Sequence, residues 1–116
     1  MARRQTICAT ALAALVAAGA ASGAFAAAKP KDVTVGSGWY GPGKVTLKAG
    51  EKVRWTWDTN GFELHDVSVK SGPERFKSPL QANGTYQRTL KKPGTYKLVC
   101  TQHGDMTMSL VVKKRR

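Results

Sequence analysis

The sequence predicts an all-β domain, a small sandwich or barrel built from six to eight short strands. Apolar and polar residues alternate with a period of two along most of the chain after residue 26, as in strands with one buried face. Turn-forming Gly, Pro and Asn residues interrupt this alternation about every ten residues, a spacing typical of sandwiches and barrels. Helical periodicity is hard to find beyond the alanine-rich first segment.

The predicted strands follow one another in a simple order. The alternating segments are 32–35, both halves of 44–57, 63–70, 85–90, 95–100 and 108–114. The glycine-rich stretch 36–43 predicts a turn, and Asn83-Gly84 predicts a tight connection before the strand at 85–90. Segment 44–57 predicts a hairpin whose two strands are joined by a turn at Ala49-Gly50.

Residues 1–26 are predicted to be a secretory signal peptide. Two arginines precede an alanine-rich apolar run, and Ala24-Phe25-Ala26 supplies a small-x-small cleavage pattern, with an alternative cleavage point after residue 28. The run is too short and alanine-heavy for a stable membrane span, so the mature chain is predicted to have no transmembrane segment. We therefore expect an exported protein of the periplasm or the extracellular and cell-envelope space. Residues 27–116 would form one domain with a short basic C-terminal tail.

The charge of the chain is strongly positive. Nineteen Lys and Arg stand against seven Asp and Glu, and without the predicted signal peptide the formal charge is about +10. The positive electrostatic field of such a charge favours binding of acidic partners. The basic residues are spread along the sequence without a basic helix or an aromatic-basic platform, so nucleic acid is not a predicted partner.

One cysteine remains in the predicted mature chain. Cys8 lies within the signal peptide, which leaves Cys100 alone. A lone thiol in an exported domain cannot form an internal disulfide. It is therefore either buried and inert or occupied by a bound partner.

The segment LVCTQHGDMTM, residues 98–108, concentrates soft and borderline metal ligands: Cys100, His103, Met106 and Met108. Strand alternation puts Cys100 at the end of one inward face. It puts His65 on the inward face of a separate strand. Both residues are therefore predicted to lie on core faces, and Cys100 stands at a strand end, where the loop that carries His103 and the methionines can add further ligands.

The types of ligand in this set indicate which metal would bind. A structural zinc site usually has several thiolates, and a hard cation needs clustered carboxylates. This chain offers two imidazoles, one thiolate and a thioether, which match a trigonal His₂Cys plane with a weak axial Met, the arrangement of electron-transfer copper sites. We therefore predict one copper ion, cycling between Cu(I) and Cu(II), at His65, Cys100, His103 and one methionine.

Two segments resemble the ligand segments of the cupredoxins, the small blue copper proteins. They are VRWTWDTNGFELHDVSV over 53–69 and GTYKLVCTQHGDM over 94–106. The resemblance spans nearly all of the predicted mature chain and implies a cupredoxin-like Greek-key β-sandwich or barrel. It also implies that His65, as the upstream histidine on a separate strand, completes the ligand set.

The axial methionine has two candidates. The spacing Cys-x-x-His-x-x-Met resembles the short-loop, amicyanin-like branch and indicates Met106, whereas plastocyanin-like spacing indicates Met108. Anchoring on Met106 puts Leu110 and Val112 at the inward positions of the next strand. Met106 is therefore preferred, with Met108 as packing near the site and as the alternative axial ligand.

Asp66 departs from the cupredoxin pattern, in which the residue after the first ligand is often an Asn that ties the ligand loops together. An ionised carboxylate accepts hydrogen bonds but cannot donate them. Close to the metal it would favour Cu(II) and lower the reduction potential. Alternatively, Asp66 points outward and pairs with Lys or Arg.

The resemblance implies a monomeric electron carrier rather than an enzyme, with His103 as the port for single electrons. Acidic redox proteins would meet its positive field in transient, salt-sensitive encounters. Catalysis is not predicted, because four protein ligands leave no open position for a substrate. Two alternatives stay open: a copper-binding and delivery protein, and a metal-free β-sandwich interaction module.

Overall fold

The computed structural model describes residues 29–115, which form eight strands and no helix. The strands are β1 (Lys31–Gly36), β2 (Trp39–Gly41), β3 (Lys44–Lys48), β4 (Lys52–Trp57), β5 (Ser68–Ser71), β6 (Thr85–Thr89), β7 (Gly94–Cys100) and β8 (His103–Lys113). In this part of the chain no helix is long and apolar enough to cross a membrane. The predicted signal peptide, residues 1–26, lies outside the described residues.

The strands form two four-stranded sheets with the core between them. The first sheet has the order β2-β1-β4-β6, and the second has the order β3-β8-β7-β5. Each sheet contains one parallel pair, β1 with β4 and β3 with β8, and its other neighbours are antiparallel. The predicted all-β sandwich of six to eight strands is therefore confirmed.

The segment 44–57 is not the hairpin that the sequence predicts. Its turn forms, since the Glu51 amide donates a hydrogen bond to the Lys48 carbonyl at 2.9 Å. The two strands then part, because β3 pairs with β8 and β4 pairs with β1. Each strand has an apolar face, and placing the strands in opposite sheets lets both faces pack into one core.

The core is built from the alternating inward side chains of both sheets. Trp55 of β4 is completely buried and packs against Phe76 and Tyr86 at ring-centroid distances of 5.9 and 5.8 Å. Its Nε1 donates to the Met108 sulfur of β8 at 3.4 Å, so one side chain connects the two sheets. Truncating a buried tryptophan to alanine costs about 3–5 kcal/mol.

β2 lies within the stretch 36–43 that the sequence predicts as a turn. β1 and β2 form a hairpin in which Gly36 pairs with Trp39. The Trp39 indole occupies the space where a Cβ of residue 36 would stand, so glycine is needed there for this contact. Two-residue alternation cannot detect such an arrangement.

The segment 63–70 is only partly the predicted strand. β5 begins at Ser68, and the preceding residues form an irregular loop with one isolated bridge between His65 and Gln81. Such a loop has no fixed period, so neighbouring side chains can turn inward together. His65 and Asp66 are both buried for this reason.

β8 starts earlier than predicted. Its first residue is His103 rather than Met108, so His103 and Met106 belong to the strand and not to the loop. Only Thr101-Gln102 separates β7 from β8, and a turn this short lets pairing begin at once.

Candidate metal centre

His65 is completely buried at one end of the sandwich, and its backbone is held by two neighbours. The Trp57 Nε1 group donates to the His65 carbonyl at 2.9 Å. The His65 amide donates to the Gln81 carbonyl at 3.0 Å, and the Gln81 amide donates back to the His65 carbonyl at 3.1 Å. These contacts fix the ring inside the sandwich without a regular strand.

Cys100 is completely buried at the end of β7, and its sulfur faces His65. The Cys100 Sγ lies 3.7 Å from the Nδ1 of His65, although the two residues are 35 positions apart. The predicted inward face of β7 is confirmed, because Tyr96 and Leu98 are buried with Cys100. The thiol therefore lies against a ring nitrogen rather than among apolar side chains alone.

His103 lies beside the same pair. It is paired with Cys100 across the short β7–β8 turn and is partly exposed. The centroid of its ring lies 4.7 Å from the centroid of the His65 ring. The structure thus brings together one thiol and two imidazoles, three of the four predicted metal donors.

Met106 and Met108 are both buried on the inward side of β8. Met108 is paired with Leu98 and accepts the hydrogen bond from Trp55, so its sulfur has a partner inside the core. Met106 lies two residues closer to His103, at the end of the strand where the other donors meet. Since both side chains point inward, strand alternation does not distinguish them, and position and partners favour Met106.

Asp66 is buried and joins the two ligand segments. Its carboxylate accepts hydrogen bonds from the Thr101 amide at 2.7 Å and from the Thr101 hydroxyl at 2.6 Å. Its carbonyl accepts one from the Tyr40 hydroxyl at 2.6 Å. Burial raises the pKa of Tyr40 well above its usual value, with further contributions from Cys100 and Asp66. Because Asp66 is buried and its carboxylate is hydrogen-bonded to Thr101, the alternative in which it points outward to a Lys or Arg is wrong.

Glu63 is a residue of this site that the sequence did not suggest. Its Oε1 lies 3.1 Å from the Nε2 of His65. One ligand atom from each of Glu63, His65 and His103 can be chosen so that all three lie within 4.8 Å of one another. Glu63 precedes His65 by two positions, and that spacing is the only sign of this contact in the sequence.

The donors fit a copper ion. Two imidazoles and a thiol from distant parts of the chain converge, with a buried thioether on the adjoining strand. Imidazole suits copper in both oxidation states, and sulfur ligands favour Cu(I).

Comparisons with known proteins agree with this fold. A sequence profile of the family described as cupredoxin-like domain matches residues 7–112, a range that includes every residue of the candidate centre. Plastocyanin A/B of Petroselinum crispum is 32% identical over 79 residues, which cover 60% of this chain and 79% of plastocyanin.

Solved structures show the same likeness. An oxidised single-residue variant of amicyanin is 25% identical with a TM-score of 0.63, covering 72% of this chain and 82% of amicyanin. A copper-containing nitrite reductase from Thermus scotoductus is 25% identical with a TM-score of 0.64 over 76% of this chain. The chain spans only 23% of that enzyme.

Proposed function

The chain belongs to the cupredoxin-like family, whose members are typically copper electron carriers, and from this membership we propose that it shuttles single electrons between redox partners. One copper ion would be held by His65, Cys100 and His103, with Met106 as the axial ligand. The observation that carries the proposal is the buried contact between the His65 Nδ1 and the Cys100 Sγ at 3.7 Å.

A bound copper ion would supply the one-electron chemistry by alternating between Cu(I) and Cu(II). The protein supplies a rigid and mostly dry setting. His65 and Cys100 are fully buried, and the contacts of Asp66 with Thr101 hold their two segments together. Donors that are fixed in this way would move little when the charge of the centre changes, which suits rapid transfer.

His103 is proposed as the electron port. It is the partly exposed member of the ligand set, whereas His65, Cys100 and Met106 are buried. A partner that covers this end of the sandwich would therefore approach the centre most closely through the His103 ring.

Acidic redox proteins are proposed as the partners. The exposed side of the second sheet carries five lysines among its described strand residues, against the single carboxylate of Asp105. The lysines are Lys44, Lys48, Lys70, Lys97 and Lys113. Such a field accelerates encounter with an acidic surface and makes the rate fall as ionic strength rises. Export to the periplasm or extracellular space through residues 1–26, and action as a monomer, complete the proposal.

Catalysis is not part of the proposal. The likeness to a nitrite reductase extends over 23% of that enzyme, so its activity is not carried over to this chain. The sequence contains two histidines, and both are used in the proposed centre. Four protein ligands would leave no open position for a substrate.

Copper delivery is the competing function within the copper-binding class. A carrier that transfers Cu(I) to another protein needs accessible soft ligands. Both methionines of β8 are buried, and Met108 accepts a hydrogen bond from Trp55. These observations favour electron transfer. Rapid electron self-exchange without copper loss would support that choice, whereas slow exchange with ready copper loss would favour delivery.

A copper titration tests the proposal directly. Adding one equivalent of Cu(II) to the metal-free protein is expected to produce an intense visible band from thiolate-to-copper charge transfer. Cys100→Ser should abolish the band, because it replaces the only sulfur anion of the centre while keeping the side chain small. A colourless wild-type protein would contradict the electron-carrier proposal and would favour a metal-free interaction module.

A further inference from the structure

Glu63 contacts the ring of His65, and we infer that it is a positioning residue for this ligand. Its carboxylate would hold the imidazole in the tautomer with the proton on Nε2, leaving Nδ1 free to bind a metal. The metal-dependent part of this inference rests on the proposed function, whereas the tautomer is a property of the metal-free protein.

The contact places different partners at the two ring nitrogens. The Glu63 Oε1 lies 3.1 Å from Nε2, and the Cys100 Sγ lies 3.7 Å from Nδ1. A carboxylate can only accept, so this hydrogen bond requires Nε2 to carry the proton. The His65 side chain is 0% exposed, so solvent does not compete directly for its nitrogens, whereas the Glu63 side chain is 54% exposed.

The backbone around Glu63 is anchored on both sides. The buried Thr59 hydroxyl lies 3.3 Å from the Glu63 carbonyl oxygen and 2.7 Å from the Ala82 carbonyl oxygen. On the other side, His65 is bridged to Gln81. The carboxylate therefore extends from a loop segment whose backbone is held on both sides of Glu63.

A carboxylate on the outer nitrogen changes what the ligand nitrogen does. It orients the ring and makes Nδ1 more basic, which favours the more positive Cu(II) state. Loss of such an outer partner typically weakens metal binding by about 10–100-fold. Because half of the Glu63 side chain faces solvent, we expect the lower end of this range.

The first test needs no metal. Long-range hydrogen–nitrogen correlations on the reduced, metal-free, nitrogen-15-labelled protein, recorded at one mildly alkaline pH for all variants, report which nitrogen of His65 carries the proton. Wild type and Glu63→Gln, whose amide oxygen still accepts, should show the Nε2-protonated form. Glu63→Leu should show a mixture of tautomers. A wild-type proton on Nδ1, or an unchanged spectrum in Glu63→Leu, would overturn the inference.

The second test uses the copper-loaded protein. Glu63→Leu should raise the Cu(II) dissociation constant about tenfold and raise the reduction potential, with Glu63→Gln between it and wild type. Asp58→Asn is the matched control, because Asp58 is an exposed carboxylate at the start of the same loop and should have no effect on either quantity.

The outcomes separate the two proposals. If the wild type never turns blue, the proposed function fails while the tautomer result stands. If the wild type is blue but His65 shows mixed tautomers, the positioning role alone fails. Loss of the blue band in Glu63→Gln would make Glu63 a ligand of the metal and would likewise overturn the positioning role.

Discussion

The two ends of the sandwich are each held by a carboxylate, but these carboxylates differ in burial. At the candidate centre, Asp66 is 1% exposed and accepts two hydrogen bonds from Thr101. At the other end of β7, the partly exposed Glu74 accepts hydrogen bonds from the amides of Lys91 and Lys92 at 2.7 and 2.9 Å. Cys100 is a free thiol, so neither end has a disulfide within residues 29–115, and side-chain hydrogen bonds connect the loops there.

The difference in burial separates two roles for the same chemistry. When an exposed carboxylate is removed, water can satisfy its former donors, and the cost is small. When a buried carboxylate is removed, its donors lose their partner and a cavity remains. Asp66 is also adjacent in sequence to His65, and Thr101 is adjacent to Cys100. Loss of the Asp66 carboxylate would therefore disturb the positions of the two proposed metal ligands. The far end therefore contributes to stability, and the candidate centre combines stability with function.

Asp66→Ala should give the largest effect. The two Thr101 donors lose their acceptor, and we expect the free energy of unfolding to fall by about 2–3 kcal/mol. Urea denaturation of the metal-free protein measures this change. Thr101→Val, which removes only the hydroxyl donor, should cost roughly half as much. A loss in Asp66→Ala no larger than that in Glu74→Ala would mean that burial does not distinguish the two ends.

Asp66→Asn should separate the charge of this residue from its hydrogen bonds. The amide oxygen can still accept a hydrogen bond from the Thr101 amide, so we expect the free energy of unfolding to fall by about 1–2 kcal/mol. In the copper-loaded protein the reduction potential should rise, because a buried negative charge that favours Cu(II) is gone.

Asp105→Asn is the control for that potential. Asp105 is an exposed carboxylate near the start of β8, where solvent and salt screen its charge. Spectroelectrochemical titration of Asp105→Asn should show a clearly smaller shift of the reduction potential than titration of Asp66→Asn. Equal shifts in both variants would indicate a general effect of net charge.

Glu74→Gln tests the far end through pH. Burial alone would raise the pKa of Glu74, but the amides of Lys92 and Lys91 and the Tyr96 hydroxyl hold the pKa below the usual value of a glutamate. A carboxyl with a lowered folded pKa stabilises the protein above its unfolded pKa, and this contribution disappears as the pH falls through the folded pKa. At neutral pH we therefore expect the variant to be less stable by about 1 kcal/mol, and this difference should vanish in acid.

The ionisation of Tyr96 provides an independent measurement of its contact with Glu74. Burial and the neighbouring Glu74 raise the pKa of Tyr96 to about 12. An alkaline absorbance titration of Glu74→Gln should show one tyrosine that ionises at lower pH than in wild type. A stability difference that persists unchanged from neutral pH into acid would contradict the role assigned to the Glu74 carboxylate.

Much of the fold followed from strand periodicity, because most of the chain is regular. The alternation predicted the buried faces of β4 and β7 and the inward direction of Cys100. His65 is buried as predicted, but it lies in an irregular loop rather than on the strand that the alternation indicated. It could not predict that segment 44–57 divides between two sheets, since partner choice depends on long-range packing. A local turn is compatible with both arrangements.

The candidate site was harder to predict where the chain is irregular. The loop before β5 has no period, so neither the inward turn of Asp66 nor the contact of Glu63 with His65 could be read from alternation. The choice between Met106 and Met108 met a different limit. They are two positions apart, and a period of two gives both the same direction.

Exchange of these methionines for leucine should give the smallest changes in stability and should identify the axial ligand. Met108→Leu keeps the side-chain volume but leaves the Trp55 indole without its sulfur acceptor. We therefore expect the free energy of unfolding to fall by less than about 1 kcal/mol and the reduction potential to stay unchanged. Met106→Leu should retain copper and raise the potential, because the weak axial donor is gone. In a Trp55→Phe background the cost of Met108→Leu should shrink, since the hydrogen bond is already absent. If the effects on the potential were exchanged between the two methionines, the sulfur of Met108 would be the axial ligand.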